Sequence, residues 1–101
     1  MQYNLGVQAL GKRDLSEARK YFQMALQHKP AFAAAHTNLG GVLLEAGETE
    51  PAISHFLVAV DLKPEDARAF YNLSVALARK GETKAAAEAR ARAYALDPNL
   101  K

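Results

Sequence analysis

The sequence contains no cysteine and no tryptophan, and only 8% of its 101 residues are aromatic. The absence of cysteine excludes disulfide bonds, thiolate metal sites and cysteine nucleophiles, and it leaves the redox compartment undetermined. Long apolar runs are also missing, so no segment reaches the roughly 20 residues that cross a bilayer, and no signal-peptide core follows the N-terminus. We therefore expect no membrane contact within this chain, and we favour a cytoplasmic location.

Alanine is the main contributor to an apolar fraction of 50%. Small side chains and few aromatics favour helices with closely approaching backbones over a β-sheet. The length corresponds to one domain with a modest core. We therefore expect a single all-α domain over residues 1–101.

The charge is distributed unevenly although the net value is only +2. Residues 1–32 carry a charge of +3, residues 33–64 a charge of −3, and residues 65–101 a charge of +2. An acidic middle segment interrupts any continuous cationic track for phosphates. We therefore expect no nucleic-acid partner, and the alternation either reflects ordinary solvated faces or favours staggered association between copies.

An internal repeat of 34 residues runs through the chain. Five columns of residue types recur at this spacing, which is too regular for coincidence. The columns are Asn4, Asn38 and Asn72; Leu5, Leu39 and Leu73; Ala18, Ala52 and Ala86; Ala25, Ala59 and Ala93; and Pro30, Pro64 and Pro98.

Each repeat reads as two helices joined by a short turn. In the second repeat Gly47 is placed to end the first helix in a left-handed conformation. Thr49 is then expected to cap the next helix, with Pro51 in its first turn. Thr83 occupies the corresponding position in the third repeat. Arg13 stands where Gly47 and its counterpart Gly81 have glycine, so we expect the first helix to end early, near Gly11.

These residues resemble the tetratricopeptide repeat family, whose pattern joins Leu-Gly, Ala, Phe and Pro at fixed offsets. The resemblance implies a right-handed α-solenoid of three helix-turn-helix repeats with six antiparallel helices, at 1–32, 33–66 and 67–101. Gln2 and His36 depart from a column that is usually aromatic and that only Phe70 keeps. In a second column, Arg90 stands where the first two repeats have phenylalanine. The matching runs are Leu5-Gly6, Ala18, Phe22 and Pro30; Leu39-Gly40, Ala52, Phe56 and Pro64; and Leu73-Ser74, Ala86 and Pro98.

Two adjacent glycines, Gly40 and Gly41, lie in the middle of a predicted helix, where each costs roughly 1 kcal/mol relative to alanine. Gly40 shares a column with Gly6 and Ser74, and we expect this small column to face the alanine column that includes Ala52. Gly41 has valine at its counterparts, so the repeat does not require glycine there. It either leaves a dent for a ligand side chain or reflects drift at an exposed position.

The resemblance implies a binding groove lined by the first helix of each repeat, which holds a protein or peptide ligand. The function predicted is a non-enzymatic scaffold that binds an extended peptide or a partner helix. Carried over by column, the groove residues are Tyr3, Asn4, Val7 and Leu10; Ala34, Thr37, Asn38, Gly41 and Leu44; and Arg68, Tyr71, Asn72, Val75 and Arg79.

The asparagine column is the most concrete element of this groove. Each amide offers a donor and an acceptor, so three of them could pair with successive peptide groups of an extended ligand. The alternative is that these side chains only solvate the helices. The carboxylate clamp that some family members use for chaperone tails is not expected, because Tyr3 and Val7 replace two of its polar positions and only Asn38 and, approximately, Arg68 match.

No catalytic or cofactor motif is present. His28, His36 and His55 lack metal-site spacing, and neither a phosphate loop nor a nucleophile elbow occurs. We expect no enzyme activity and no cofactor. The alternative function is self-assembly into homo-oligomers through exposed terminal faces, where Tyr94 and Leu96 of the last helix remain to be covered.

Overall fold

The computed structural model describes residues 1–100, which form six α-helices and no strand. The helices run antiparallel in three successive hairpins, and the body measures 35 × 25 × 22 Å. The prediction of an all-α solenoid is confirmed. The helices are α1 (Gln2–Gly11), α2 (Leu15–His28), α3 (Ala33–Glu45), α4 (Thr49–Leu62), α5 (Ala67–Lys80) and α6 (Thr83–Leu96).

The core lies within each hairpin and between neighbouring hairpins. Helix α2 packs against α3, and α4 packs against α5. Helices α3 and α5, which are the first helices of the second and third hairpins, also touch. Phe22, Leu39 and Phe56 are the largest fully buried side chains. Each hairpin therefore buries its apolar face mainly against the next one in the chain.

Only two of the six helices begin with a side-chain cap. Asp14 accepts a hydrogen bond from the Glu17 amide, and Asp66 accepts from the amides of Arg68 and Ala69. The prediction that Thr49 caps α4 is wrong, because Thr49 is the first residue inside the helix and Glu48 precedes it without a side-chain cap. Thr83 likewise lies inside α6, so its hydroxyl is one position too late to reach the orphan amides.

The turns between the helices of each hairpin share one conformation. Gly47 and Gly81 have φ values of +83° and +92°, in the left-handed region that favours glycine. Arg13 adopts the same region with φ +62°. Helix α1 ends at Gly11 as predicted, but this end is not early, because Gly11 lies one period before Glu45, the last residue of α3.

Gly6 and Gly40, two members of the small column of the first helices, pack closely against phenylalanine rings. A Cβ atom built on Gly40 would lie 2.7 Å from Phe56 Cε1, and one on Gly6 would lie 2.6 Å from Phe22 Cε1. The packing role of Gly40 is confirmed, and the sequence did not anticipate the phenylalanine ring; that the column also faces Ala52 stays a prediction. Nothing lies within 4 Å of a Cβ at Gly41.

Ion pairs cross both joints between hairpins. All are at least one-third exposed, so each contributes about 0–1 kcal/mol. The first joint has Arg13 Nη2 to Glu45 Oε2 at 2.9 Å and Arg19 Nη1 to Glu48 Oε2 at 2.5 Å, and the second has Lys80 Nζ to Glu50 Oε2 at 3.0 Å.

Candidate functional site

The predicted groove residues lie on the first helix of each hairpin, and their accessibility varies widely. Asn4, Val7, Ala34, Arg68 and Arg79 are exposed. Leu44 is only 9% exposed and belongs to the core. The remaining predicted residues are half-buried: Tyr3, Leu10, Thr37, Asn38, Gly41, Tyr71, Asn72 and Val75.

Leu44 is a correction to the predicted groove. Its side chain lies among the buried core residues, so it cannot contact a ligand on the surface. Arg79 of α5 lies over the end of α3 and donates from Nη1 to the Leu44 carbonyl oxygen at 3.3 Å. The neighbouring hairpin thus covers a position that the pattern of α3 alone places in the groove.

The three asparagines differ in what they offer to a ligand. Asn38 donates from Nδ2 to the Tyr3 hydroxyl at 3.0 Å, which links α3 to α1. Within residues 1–100, Asn4 and Asn72 make no hydrogen bond through their side chains. Two amides are therefore available in full, and the third keeps its carbonyl oxygen and one N–H.

Two tyrosines mark the ends of this surface. The Tyr3 ring packs 4.7 Å from Phe32 and 5.8 Å from Phe22, measured between centroids. The Tyr71 ring meets Tyr94 edge-on at 6.4 Å. Both rings are held by aromatic neighbours, so they offer contact area with little loss of side-chain entropy on binding.

The polar and small residues between the tyrosines do not obstruct the surface. Thr37 donates from Oγ1 to the Ala33 carbonyl oxygen at 3.2 Å, a bond within its own helix. No atom lies within 4 Å of the place where Gly41 would carry a Cβ, so the surface has space there. This space is compatible with the predicted dent, whose role in binding stays a prediction.

A cavity of about 310 Å³ opens at the end of the third hairpin, beside Tyr71 and Val75. Its floor is small and apolar, with Ala78, Ala86 and Ala87 among its lining residues. Arg90, which replaces the phenylalanine found at this position in the first two repeats, also lines the cavity. The sequence showed this replacement but did not predict a cavity.

Sequence reasoning also missed a histidine pair in the second hairpin. The Nδ1 atoms of His36 and His55 lie 3.0 Å apart, and His36 Nε2 lies 2.8 Å from the Pro30 carbonyl oxygen. Because a carbonyl can only accept, His36 carries its proton on Nε2, and its Nδ1 then accepts from His55 Nδ1–H when both rings are neutral. Burial, and secondly the neighbouring His36, lower the pKa of His55 below its usual 6.5.

The described residues 1–100 contain no group of three or more His, Cys, Asp or Glu side chains placed to hold a metal ion. In the same range, no helix combines the length and the apolar character that a membrane crossing requires. The accessible polar groups among the predicted groove residues are amides, hydroxyls and guanidinium groups, which suit hydrogen bonding to another chain.

Six antiparallel helices stacked as hairpins define a short α-solenoid, a class of fold that presents extended surfaces for binding. The chain belongs to the tetratricopeptide repeat family, whose sequence pattern matches residues 3–67 and 52–100. Membership of this family supports a protein-interaction scaffold. No curated protein sequence gives a significant match to it.

Solved structures support the family assignment. The chain is similar to YrrB, a tetratricopeptide protein with an unusual peptide-binding site, at 28% identity and a TM-score of 0.90 over 97% of this chain and 50% of YrrB. It is similar to MamA at 25% identity and a TM-score of 0.89 over 96% of this chain and 57% of MamA. The chain thus spans little more than half the length of these two proteins.

A third structure agrees in fold alone. The first tetratricopeptide domain of Spaghetti (RPAP3), bound to the HSP90 peptide SRMEEVD, has a TM-score of 0.95 at 18% identity, covering 98% of this chain and 79% of that one.

Proposed function

We propose that the chain is a non-enzymatic scaffold that binds an extended peptide or a partner helix on the surface formed by α1, α3 and α5. The observation that carries this proposal is the asparagine column, in which Asn4 and Asn72 have no hydrogen-bonding partner among residues 1–100. An extended peptide presents unpaired N–H and C=O groups at regular intervals, and such amides can satisfy them.

The neighbouring side chains support a ligand at the same place. Tyr71 next to Asn72 supplies an aromatic surface, and Val75 supplies an apolar one, both half-buried. The peptide-binding site of YrrB, which is 28% identical, is consistent with this use of the fold. We extend the proposal to the absence of nucleic-acid partners, because the acidic middle segment interrupts the basic ones.

The experiment is a selection of displayed random peptides on the wild-type chain, followed by affinity measurements with Asn72→Ala. We expect the selected peptides to bind the variant about two- to tenfold more weakly, the loss typical of one hydrogen bond. Gln27→Ala on α2 is the matched control, because Gln27 is exposed and lies outside the proposed surface. Peptides that bind Asn72→Ala and the wild type equally would remove the asparagine column from the proposal.

Self-assembly through the terminal faces remains the alternative function. It predicts a molar mass that rises with protein concentration in light scattering and that falls when Tyr94, half-buried near the end of α6, is replaced by glutamate. A mass that stays constant over the same concentration range supports the scaffold.

A further inference from the structure

The joint between α1 and α3 shows how the chain fills its own surface. Tyr3 of α1 is half-buried there, and its hydroxyl accepts a hydrogen bond from Asn38 Nδ2 at 3.0 Å. Val7 stands one turn later on the same face of α1. The first hairpin therefore lines this joint with a ring and a branched side chain, and the second hairpin supplies the amide that pairs with the ring's hydroxyl.

The joint between α3 and α5 has smaller residues at the same positions. One period after Tyr3 and Val7 stand Thr37 and Gly41. Apart from the backbone of its own helix, no atom lies within 4 Å of the place where Gly41 would carry a Cβ. Thr37 donates its hydroxyl to the Ala33 carbonyl oxygen within α3. The second joint therefore lacks both side chains that line the first, and it has a hollow in their place.

The amide that corresponds to Asn38 is Asn72 of α5. Within residues 1–100 its side chain makes no hydrogen bond, because Thr37 is shorter than tyrosine and already uses its hydroxyl elsewhere. We call the space bounded by Thr37, Gly41 and Asn72 the α3–α5 hollow. It combines missing side-chain volume with an unused amide, at the position where the first joint has a ring and a bonded hydroxyl.

Contacts across the two joints follow the same spacing. The bond from Asn38 to Tyr3 joins residues 35 apart, and the bond from Arg79 to the Leu44 carbonyl oxygen across the second joint also joins residues 35 apart. Asn72 and Thr37 have this separation as well. The common spacing places the Asn72 amide at the hollow, as Asn38 lies at the Tyr3 hydroxyl.

The outer side of the hollow is open. At the first joint the Phe32 ring packs against Tyr3, with 4.7 Å between the centroids. Its counterpart at the second joint is Asp66, a shorter side chain whose carboxylate caps the N-terminus of α5. A side chain from another molecule therefore has a way in where the first joint is closed by an aromatic ring.

We propose that the α3–α5 hollow binds a tyrosine side chain of the peptide ligand, whose hydroxyl accepts from Asn72 Nδ2 as that of Tyr3 accepts from Asn38. The inference rests on the proposed function, since it names one residue of the ligand that the same surface binds. The second N–H and the carbonyl oxygen of Asn72 stay available to the ligand main chain.

Tyrosine fits both properties of the hollow, whereas other side chains fit only one. An apolar side chain of similar size fills the space but leaves the covered amide without an acceptor, which is unfavourable. A short polar side chain pairs with the amide but leaves the space empty. Because the first joint is already filled by Tyr3, a single tyrosine sets the register of the ligand on this surface.

The test uses displayed random peptides selected on the wild-type chain, in which we expect tyrosine at one aligned position. Replacing this tyrosine by phenylalanine should weaken binding about two- to tenfold, the loss typical of one hydrogen bond. Replacing it by alanine should cost about tenfold more, because the buried ring is lost. On Asn72→Ala the tyrosine and phenylalanine forms should bind equally.

A second variant closes the hollow with residues that the chain already accommodates. Thr37→Tyr combined with Gly41→Val gives α3 the side chains of α1, so it should unfold at no lower temperature than the wild type. It should bind the tyrosine peptide at least about tenfold more weakly. Gln23→Tyr, at an exposed position of α2 outside the surface, is the matched control and should leave the affinity unchanged. Equal losses in the double variant and the control would overturn the proposal.

The remaining outcomes separate this inference from the proposed function. Peptides that lose affinity on Asn72→Ala but share no tyrosine, or that bind the double variant as tightly as the wild type, would overturn the hollow and leave the proposed function in place. A loss from tyrosine to phenylalanine that is the same on the wild type and on Asn72→Ala would overturn the pairing with the amide. Peptides that Asn72→Ala does not affect would remove the asparagine column from the proposed function and overturn the hollow with it.

Discussion

In the second hairpin α3 and α4 meet through Gly40 and the Phe56 ring, whereas α5 and α6 of the third hairpin have Ser74 and Arg90 at the same two positions. A Cβ at position 40 would lie 2.7 Å from the ring, so the phenylalanine requires a glycine opposite it. Ser74 can be larger because no ring faces it, and its hydroxyl donates to the Tyr71 carbonyl oxygen at 2.6 Å.

The two hairpins thus use one backbone arrangement for different purposes. The second encloses its phenylalanine and is covered by α5, which makes it the centre of the core. The third replaces the ring with a long cationic side chain and leaves a cavity beside it. The repeat therefore dictates where side chains meet, while the residues at those points decide whether the contact is closed or open.

The largest difference in stability between the hairpins is expected when the side chains of Phe56 and Arg90 are each truncated to alanine. Phe56→Ala should lower the free energy of unfolding by about 3–5 kcal/mol, because the ring is fully buried and leaves a cavity. Arg90→Ala should change it by less than about 0.5 kcal/mol, since Arg90 is exposed. Urea unfolding followed by circular dichroism measures both. Similar losses in the two variants would mean that the third hairpin is as closed as the second.

Smaller changes in stability are expected at the two adjacent glycines, and these two changes are opposite in sign to each other. Gly40→Ala should destabilise the chain by about 1–3 kcal/mol, because the Cβ overpacks against Phe56. Gly41→Ala should stabilise it by up to about 1 kcal/mol, since nothing lies within 4 Å and alanine is the better helix former. Thermal unfolding of both variants measures the contrast.

A double-mutant cycle tests the cause of this contrast. Gly40→Ala in a Phe56→Ala background should cost much less than in the wild type, because the ring that blocks the Cβ is gone. An unchanged cost would show that the strain arises elsewhere in the hairpin.

The period of 34 residues was enough to predict the helices. Pro64 and Pro98 follow the ends of α4 and α6 within two residues, and Gly47 and Gly81 have the positive φ that their positions predict. The pattern also identified Gly40 as a packing residue. It did not identify the phenylalanine ring opposite Gly40, because periodicity gives the face that a residue occupies and not how far an opposing side chain reaches across the contact.

Contacts between hairpins were beyond this pattern. Leu44 was wrongly placed in the groove. The helix that covers it, α5, starts more than 20 residues later, so the pattern of α3 alone does not show that Leu44 is buried. The hydrogen bond from Asn38 to Tyr3 joins residues 35 apart in the sequence. The pattern also missed a contact within the second hairpin, where His36 of α3 meets His55 of α4. One usable signal was present: His36 stands in a column that is usually aromatic, which indicates a packed environment in which an imidazole needs a partner.

The smallest expected difference between the hairpins is in their response to acid. The second hairpin has the pair of His36 and His55, and the third has Phe70 and Ala89 at the same positions. Burial and the neighbouring His36 lower the pKa of His55 in the folded chain, so the unfolded chain binds protons more readily. The stability from the neutral pair is fully present above pH 6.5 and is lost as the pH falls from there through the lowered pKa.

Replacing the pair with the residues of the third hairpin, as His36→Phe with His55→Ala, should remove this part of the pH dependence. Between pH 7.5 and 5 we expect the wild type to lose about 1 kcal/mol more than the double variant, comparable to one hydrogen bond. His28→Gln is the matched control, because it removes an exposed imidazole and leaves the pair of His36 and His55 in place. Unfolding at several pH values gives the profiles. Parallel curves for the wild type and the double variant would show that protonation of the neutral histidine pair does not lower the free energy of unfolding. The second hairpin would then differ from the third in packing alone.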